Sequence, residues 1–277
     1  MVERHARAKV NLCLVVTGRR DDGYHLLDSI VAFADVGDRV TVAAADTLSL
    51  TVTGPFAAGL GPPTENLVWR AALSLAAAHD RPPIAAITLD KHLPIASGIG
   101  GGSADAAAAL LALSALWQVP VPPDLALRLG ADVPVCLHGQ ACRMTGIGEV
   151  LHPFQFPPVP AVLVNPGVAV PTAAVFRARP AGFRPPLAGV SAAEIADVAA
   201  LVRRGGNDLI APATHLAPEI ALTLAAVNAT DAVLAVTMSG SGATCVGLYP
   251  TADAASAAAT ALARAQPGWW VMATTLS

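Results

Sequence analysis

A glycine-rich segment before the midpoint of the chain has the composition of a phosphate-binding loop. Gly98, Gly100, Gly101 and Gly102 fall within five positions, and Ser103 follows them. Because glycine has no Cβ, successive backbone N–H groups there can converge on an anion. Ser103 is a favourable N-cap, and the alanine-rich run behind it predicts a helix over residues 103–116 whose positive end faces the loop. The segment therefore predicts a site for phosphate groups.

Two common phosphate loops are excluded by the residues around Ser103. A Walker A loop needs a lysine before the serine or threonine, and Gly102 occupies that place. A dinucleotide-binding fingerprint needs glycine at position 103 and an acidic residue at the end of a second strand, and this chain has neither. A plain flexible turn is disfavoured, because four clustered glycines cost conformational entropy without a return in packing.

Two charged residues in apolar surroundings are candidates for the chemistry. Asp132 follows Gly130 and Ala131 and precedes residues 133–137, which the pattern predicts to be a strand, and a carboxylate there can accept a proton. The alternative is a turn-forming aspartate that hydrogen-bonds its own backbone. Lys9 lies in a predicted strand over residues 7–16, where a lysine taken alone is more typical of a solvated sheet edge.

The elements that must position these residues form a mixed α+β chain in two parts. The periodicity predicts a helix over residues 191–203, and a strand, a glycine turn, a strand and a helix over residues 233–265. Residues 153–160 hold four prolines and are the predicted linker. The predicted domains are therefore residues 1–152, with the glycine loop, and residues 161–277.

Composition narrows the class of protein. The 277 residues are 54% hydrophobic and 13% charged, with a net charge of −3, which argues against a nucleic-acid partner. The longest apolar runs are too short or too interrupted to cross a bilayer, so we expect no membrane association and a cytoplasmic location. The four cysteines show neither a CxxC pair nor zinc-ligand spacing, and no acidic pair suggests a metal clamp.

Three segments in order resemble the GHMP kinase superfamily. They are residues 8–12, the loop Pro94–Ala104, and Ser239–Ala243. The resemblance implies an α+β, two-domain fold with the active site in the cleft between the domains, and ATP with Mg²⁺ as the phosphate donor. Residues 9–12, 23–25 and 130–134 are in turn similar to the 4-diphosphocytidyl-2-C-methyl-D-erythritol kinase family. That implies phosphorylation of the 2-hydroxyl of this cytidylyl compound, in the non-mevalonate route to isoprenoid precursors.

The resemblance also assigns roles to individual residues. Lys9 and Asp132 are implied to be catalytic, the lysine stabilising negative charge and the aspartate acting as general base. The residues implied to bind the nucleotide are Pro94, Gly98, Gly100, Gly101, Gly102, Ser103, Ala104, Asn66 and Lys91. The residues implied to bind the cytidylyl substrate are Asn11, Tyr24, His25, Thr172 and Phe176.

Two other functions stay open. One is a different GHMP small-molecule kinase, of the homoserine or mevalonate type. The other is a non-catalytic relative that binds ATP and a metabolite without turnover. The sequence leaves the oligomeric state open between monomer and homodimer.

Overall fold

A computed structural model describes residues 1–155, 157–187 and 197–277 of the chain. The strands are β1 Val2–Arg19, β2 His25–Ala43, β3 Ser49–Thr53, β4 Ala86–Asp90, β5 Cys142–Gly146, β6 Val150–Pro153, β7 Val159–Asn165, β8 Ala235–Met238, β9 Cys245–Leu248 and β10 Trp270–Leu276. The helices are α1 Leu67–Ala77, α2 Gly101–Trp117, α3 Leu125–Leu129, α4 Val133–His138, α5 Thr172–Ala178, α6 Val198–Gly205, α7 Ile210–Leu216, α8 Glu219–Asn228 and α9 Ala252–Ala265. The mixture confirms the predicted α+β class.

The chain folds into two compact units that are discontinuous in sequence. Unit 1 comprises Met1–Ala8, Val36–Ile95 and Gly100–Gly139. Unit 2 comprises Lys9–Asp35, Ala96–Ile99 and Gln140–Ser277. The predicted domain division at residues 153–160 remains a prediction.

Unit 1 packs helices against a small sheet. Strand β4 pairs parallel with β3 and antiparallel with the end of β2, where Val40 faces Leu89. Helices α1 and α2 bury alanine and leucine side chains such as Leu75 and Leu110 in one apolar core with residues of β4. Alanine faces let these helices approach closely, and the same residues favour the helical backbone.

Unit 2 is built on antiparallel pairing. The first part of β2 pairs with β5, and β5 with β6. Strand β7 lies between β10 and β9, and β9 pairs with β8. Helices α8 and α9 contribute Val227 and Leu262 to an apolar core that also holds Val162 and Val164 of β7. The order of elements after residue 233 agrees with the predicted strand–turn–strand–helix.

The prediction of a strand over residues 133–137 is wrong, because α4 covers this segment. The β-branched Val133 and Val135 favour a strand, but Pro134 lies in the first helical turn, where a missing N–H costs nothing. Gly139 ends the helix in the left-handed conformation, at a φ of 67°.

The predicted helix over residues 191–203 begins outside the described residues. Within the described part, helix α6 begins at Val198, and the Asp197 side chain accepts a hydrogen bond from the N–H of Ala200. No helix in the described part of the chain is long and apolar enough to span a bilayer.

Candidate active site

The first part of the glycine loop is fixed by a second glycine-rich segment. Gly98 has a φ of 77°, and a Cβ built on it would lie 2.7 Å from the carbonyl oxygen of Gly242 and closer still to that of Ser239. No side chain larger than hydrogen fits this approach. The serine–glycine turn, Ser239–Gly242, is therefore in direct contact with the start of the glycine loop.

Hydrogen bonds lock this contact. The Ser239 hydroxyl donates to the carbonyl oxygen of Gly98 at 2.9 Å and accepts the N–H of Asn11 at 3.0 Å. On the other side of the turn, the Asn207 carboxamide donates to the carbonyl oxygens of Met238 and Gly240, at 2.6 and 2.8 Å. Since the side chains of Ser239 and Asn11 are buried, their bonds are protected from competing water.

The second part of the glycine loop is the start of a helix. Gly100 adopts the left-handed conformation, with a φ of 64°, and α2 begins at Gly101. The prediction of Ser103 as N-cap is therefore wrong. The glycines let the helix start two residues earlier, and the first helical bond runs from the Ala104 N–H to the Gly100 carbonyl at 2.8 Å. The N–H groups of residues 101–103 have no acceptor within the helix, which is the arrangement that receives phosphate oxygens.

Lys91 lies beneath this helix start. A Cβ built on Gly101 would lie 3.2 Å from the Lys91 Nζ. The ammonium donates to the carboxyl groups of Asp38 and Asp105, the latter at 2.7 Å, and all three side chains are buried. Burial favours the neutral amine, but the charges of Asp105 and Asp38 outweigh it, so the pKa of Lys91 lies above its ordinary value. Contact of Lys91 with the adenosine stays a prediction.

Lys9 is held in unit 2 by a chain of buried hydrogen bonds. Its ammonium donates to the Asn11 carboxamide oxygen at 2.9 Å. The Asn11 amide donates to the Ser29 hydroxyl at 2.7 Å, which in turn donates to the carbonyl oxygen of Cys13 at 2.7 Å. Lys9 is 3% exposed, so it is not a solvated sheet-edge lysine. The chain of bonds fixes the position of the ammonium.

Asp132 lies in unit 1 at the N-cap position of α4 and is partly buried. Its side chain makes no capping bond to that helix, in contrast to Asn66, whose carboxamide oxygen accepts the N–H of Val68 at 2.9 Å at the start of α1. The general-base role of Asp132 and the turn-forming alternative both stay predictions. The nucleotide contact predicted for Asn66 stays a prediction.

Of the substrate residues, unit 2 brings His25 and Phe176 together. Their rings stack with centroids 4.9 Å apart and an interplanar angle of 26°. Burial, with the charges of Arg179 and Arg19, lowers the pKa of His25, so the imidazole is neutral at neutral pH. Tyr24, next to His25, is 57% exposed. An exposed tyrosine beside a stacked ring pair can receive a planar group.

Thr172, the remaining substrate candidate, is joined to the serine–glycine turn. Its hydroxyl lies 2.9 Å from that of Ser241. Pro94 and Ala104, predicted on the nucleotide side, are both buried. Among the described residues, no group of three or more His, Cys, Asp or Glu side chains is arranged to hold a metal ion.

Sequence reasoning missed several residues that carry this geometry. They are Ser29, Asp38, Asp105 and Asn207. Asp105 offered a signal, because a carboxylate inside an alanine run is a poor packing choice unless it is paired. Ser29 and Asp38 offered none, since their partners lie 18 and 53 residues away in the chain.

Two family models and several named relatives match this chain. The model of the GHMP kinases N terminal domain matches residues 66–148, and that of the GHMP kinases C terminal matches residues 191–268. A relative from Cereibacter sphaeroides, named 4-diphosphocytidyl-2-C-methyl-D-erythritol kinase, is 56% identical over 98% of both chains. Relatives of the same name are 51% identical in Paramagnetospirillum magneticum, over 96% of this chain and 95% of that one, and 48% identical in Roseobacter denitrificans, over 100% and 94%.

Solved structures are also similar to this chain. A crystal structure of 4-(cytidine 5'-diphospho)-2C-methyl-D-erythritol kinase superposes with a TM-score of 0.83 at 41% identity, over 100% of this chain and 99% of that one. A homoserine kinase from Cytophaga hutchinsonii reaches 0.68 at 17% identity, over 99% and 94%, which indicates a shared fold alone. This chain therefore belongs to the GHMP kinases and, within them, to the 4-diphosphocytidyl-2-C-methyl-D-erythritol kinase family.

Proposed function

We propose that the protein transfers the γ-phosphate of Mg·ATP to the 2-hydroxyl of 4-diphosphocytidyl-2-C-methyl-D-erythritol. The observation that carries the proposal is the near-full-length likeness to relatives of that name, at 48–56% identity. The route to isoprenoid precursors, a cytoplasmic location and a monomeric or homodimeric state belong to the same proposal.

In this proposal the glycine loop receives the triphosphate. The N–H groups of Gly101, Gly102 and Ser103 point along the axis of α2, and the helix dipole adds a favourable field for an anion. Magnesium arrives with the ATP, and the Ser103 hydroxyl is the group of this loop that suits an oxygen-preferring ion. The remaining nucleotide residues of the proposal are Pro94, Gly98, Gly100, Ala104, Asn66 and Lys91.

Asp132 is the proposed general base. The hydroxyl becomes acidic as its oxygen bonds to the transferred phosphorus, and a carboxylate is basic enough to take the proton that is then released. Lys9 is proposed to stabilise negative charge on the attacking oxygen. The bond from Lys9 to Asn11 supports this, because an ammonium held in one place needs little reorganisation during the reaction.

The cytidylyl head is proposed to bind beside the His25–Phe176 ring pair. A neutral imidazole offers one donor and one acceptor, which suits the hydrogen-bonding edge of cytosine. Tyr24 supplies an exposed ring for stacking, and Thr172 a hydroxyl next to the serine–glycine turn. Asn11 takes part by orienting Lys9.

The deciding experiment follows ADP release with Mg·ATP and three acceptors: the cytidylyl compound, homoserine and mevalonate. We expect turnover with the cytidylyl compound alone. Turnover with homoserine or mevalonate alone would support the kinase activity and rule out the cytidylyl compound as the acceptor. If protein that binds ATP released no ADP with any of the three acceptors, the function of a non-catalytic ATP- and metabolite-binding protein would be favoured.

A pair of variants tests the base. Asp132→Asn keeps the shape of the side chain and removes the proton acceptor, so we expect kcat to fall at least about a hundredfold. Asp124→Asn is the matched control, since that exposed carboxylate pairs only with Arg128 on the surface and such pairs contribute little. Near-wild-type turnover of folded Asp132→Asn protein would remove the assignment.

A further inference from the structure

The cluster of Lys91, Asp38 and Asp105 is buried more completely than an ordinary ion pair. Lys91 and Asp105 are each 2% exposed, and Asp38 is fully buried. Taking one ammonium and two carboxyls out of water costs several kcal/mol each before pairing. Apolar side chains would fill this part of the core without that desolvation cost. The cluster is therefore expected to have a role other than packing.

Its contacts join the three parts of the chain that define the helix start. The Asp38 carboxylate, from β2, accepts the N–H groups of His92 and Leu93 at 2.5 and 2.8 Å, which fixes the segment leading into the loop. Asp105, on the second turn of α2, accepts from Lys91 at 2.7 Å. The same ammonium lies close to Gly101, since a Cβ built there would be 3.2 Å from the Lys91 Nζ.

We propose that Lys91, Asp38 and Asp105 form a positioning cluster that holds the N–H groups of residues 101–103 where the ATP phosphates bind. In this proposal Lys91 acts through the helix start, as a positioning residue rather than as a direct contact of the adenosine. The inference rests on the proposed function for the identity of the anion, and it concerns nucleotide affinity rather than the acceptor.

The charge of the cluster gives it a second property. Burial raises the pKa of Asp105 to about 8, although the Lys91 charge opposes this shift. At neutral pH the carboxyl therefore keeps its proton, and the cluster is close to neutral. Above about pH 8 it gains a negative charge one turn below the phosphate site, which repels ATP.

Ionisable groups near Asp105 come from the strands and helices packed around α2. The charges that shift its pKa are those of Lys91, which follows β4, and Asp38, from β2. The adjacent helices carry Arg70, which is exposed on α1, and Cys136 and His138, which are half-buried on α4. One of the Asp105 oxygens has no hydrogen-bond partner within the described structure, and such an unpaired buried oxygen costs less in a neutral carboxyl than in a carboxylate.

The first test is Lys91→Met, which keeps the length of the side chain and removes the ammonium. We expect the KM and the dissociation constant for Mg·ATP to rise about tenfold or more, while the KM for the cytidylyl compound changes less than about twofold. The matched control is Asp28→Asn in unit 2, where a carboxylate as buried as Asp105 binds Arg143 at 2.6 and 2.8 Å. It should lower the melting temperature without changing ATP affinity.

Unchanged ATP affinity in folded Lys91→Met protein, or an equal loss in Asp28→Asn, would overturn the proposal. If Lys91→Met does not fold, Asp105→Asn decides, because an amide imitates the protonated carboxyl. Wild-type affinity for Mg·ATP should weaken about threefold or more between about pH 7 and pH 9, and Asp105→Asn affinity should stay level. The same weakening in both proteins would reject the cluster as a positioning device.

The design separates this inference from the proposed function. Nucleotide affinity is measured by calorimetric titration of Mg·ATP without any acceptor present. A wild-type protein that binds ATP but fails to phosphorylate the cytidylyl compound would refute the proposed substrate and leave the cluster testable. Wild-type protein that binds no ATP would refute both.

Discussion

The two glycine-rich segments of unit 2 and unit 1 look alike in sequence and differ in what their backbones do. Residues 239–242 are all buried, and the polar groups of Ser239 bond to Gly98, Asn11, Thr244 and Gly242. The helix start at residues 101–103, by comparison, includes an exposed glycine and a half-buried serine. Glycine therefore serves close packing in one segment and access to the backbone in the other.

The difference shows most clearly in what a methyl group would meet. A Cβ built on Gly98, Gly240 or Gly242 would lie within 3.0 Å of a backbone or side-chain atom. A Cβ on Gly102 would meet only the Leu67 side chain, at an ordinary 3.7 Å. Substitution by alanine can therefore separate folding from ligand binding.

Gly98→Ala should have the largest effect. The methyl group would overlap the carbonyl oxygens of Ser239 and Gly242, and the positive φ adds about 1–2 kcal/mol of strain. We expect a loss of several kcal/mol in the free energy of unfolding, seen as a fall of about 10 °C or more in melting temperature or as insoluble protein.

Gly182→Ala is the control for that substitution. Gly182 has a φ of 100°, but none of the described residues lies within 4 Å of a Cβ built there. It should show the φ penalty alone, about 1–2 kcal/mol. Equal melting temperatures for the two variants would mean that the packing of Gly98 against the serine–glycine turn contributes nothing.

Lys9 should show the next largest effect, this time on turnover. Its N–H donates to the Ile99 carbonyl at 2.9 Å, so its backbone belongs to the packed part of the loop while its ammonium is proposed to act on substrate. Lys9→Met keeps the backbone bond, and we expect kcat to fall at least about a hundredfold in folded protein. Ser29→Ala, which only loosens Asn11, should cost about tenfold or less. A small effect of Lys9→Met in steady-state assays would contradict the catalytic assignment.

Local signals predicted much of the fold. Periodicity and turn residues placed the strand over residues 7–16, the helix over residues 103–116 and the elements after residue 233, because each of these segments has one clear pattern. The segment 133–137 was wrongly predicted because its valines favour a strand, while Pro134 and Gly139 favour a helix and decide the outcome. The family resemblance was confirmed by the matches over both halves of the chain.

The candidate site was predictable only in part. The sequence assigned Asn11 to the substrate, which stays a prediction, but it gave no sign that the Asn11 side chain bonds to Lys9 and Ser29. Partners such as Asp38 and Lys91 lie 53 residues apart, and no local pattern encodes that meeting. The burial of Asp38 and Lys91 is explained only by the fold, which brings their opposite charges together.

A pH dependence of stability distinguishes the two glycine segments further, since Ser239–Gly242 contains no ionisable side chain and the helix start is followed by Asp105. The folded protein keeps the Asp105 proton up to about pH 8, whereas the unfolded chain loses it near pH 4. The folded state thus binds more protons in this window, so its free energy of unfolding should fall as the pH rises.

Denaturant unfolding of wild type and Asp105→Asn at about pH 5 and about pH 8 measures the contribution of Asp105 to the free energy of unfolding. We expect the wild type to lose of the order of 3–4 kcal/mol more than the variant between the two pH values. Parallel pH profiles would mean that Asp105 is ionised in the folded protein at neutral pH.

Gly102→Ala should have the smallest effect and the most specific one. Because the new methyl group has room and alanine favours a helix, the melting temperature should stay level or rise slightly. The same methyl group would stand on the exposed side of the helix start, where the proposal places the phosphates, so the KM for ATP should rise about tenfold with the KM for the cytidylyl compound unchanged. Unchanged ATP kinetics would show that the phosphates bind elsewhere, and a lower melting temperature would show that Gly102 is needed for packing, as Gly98 is.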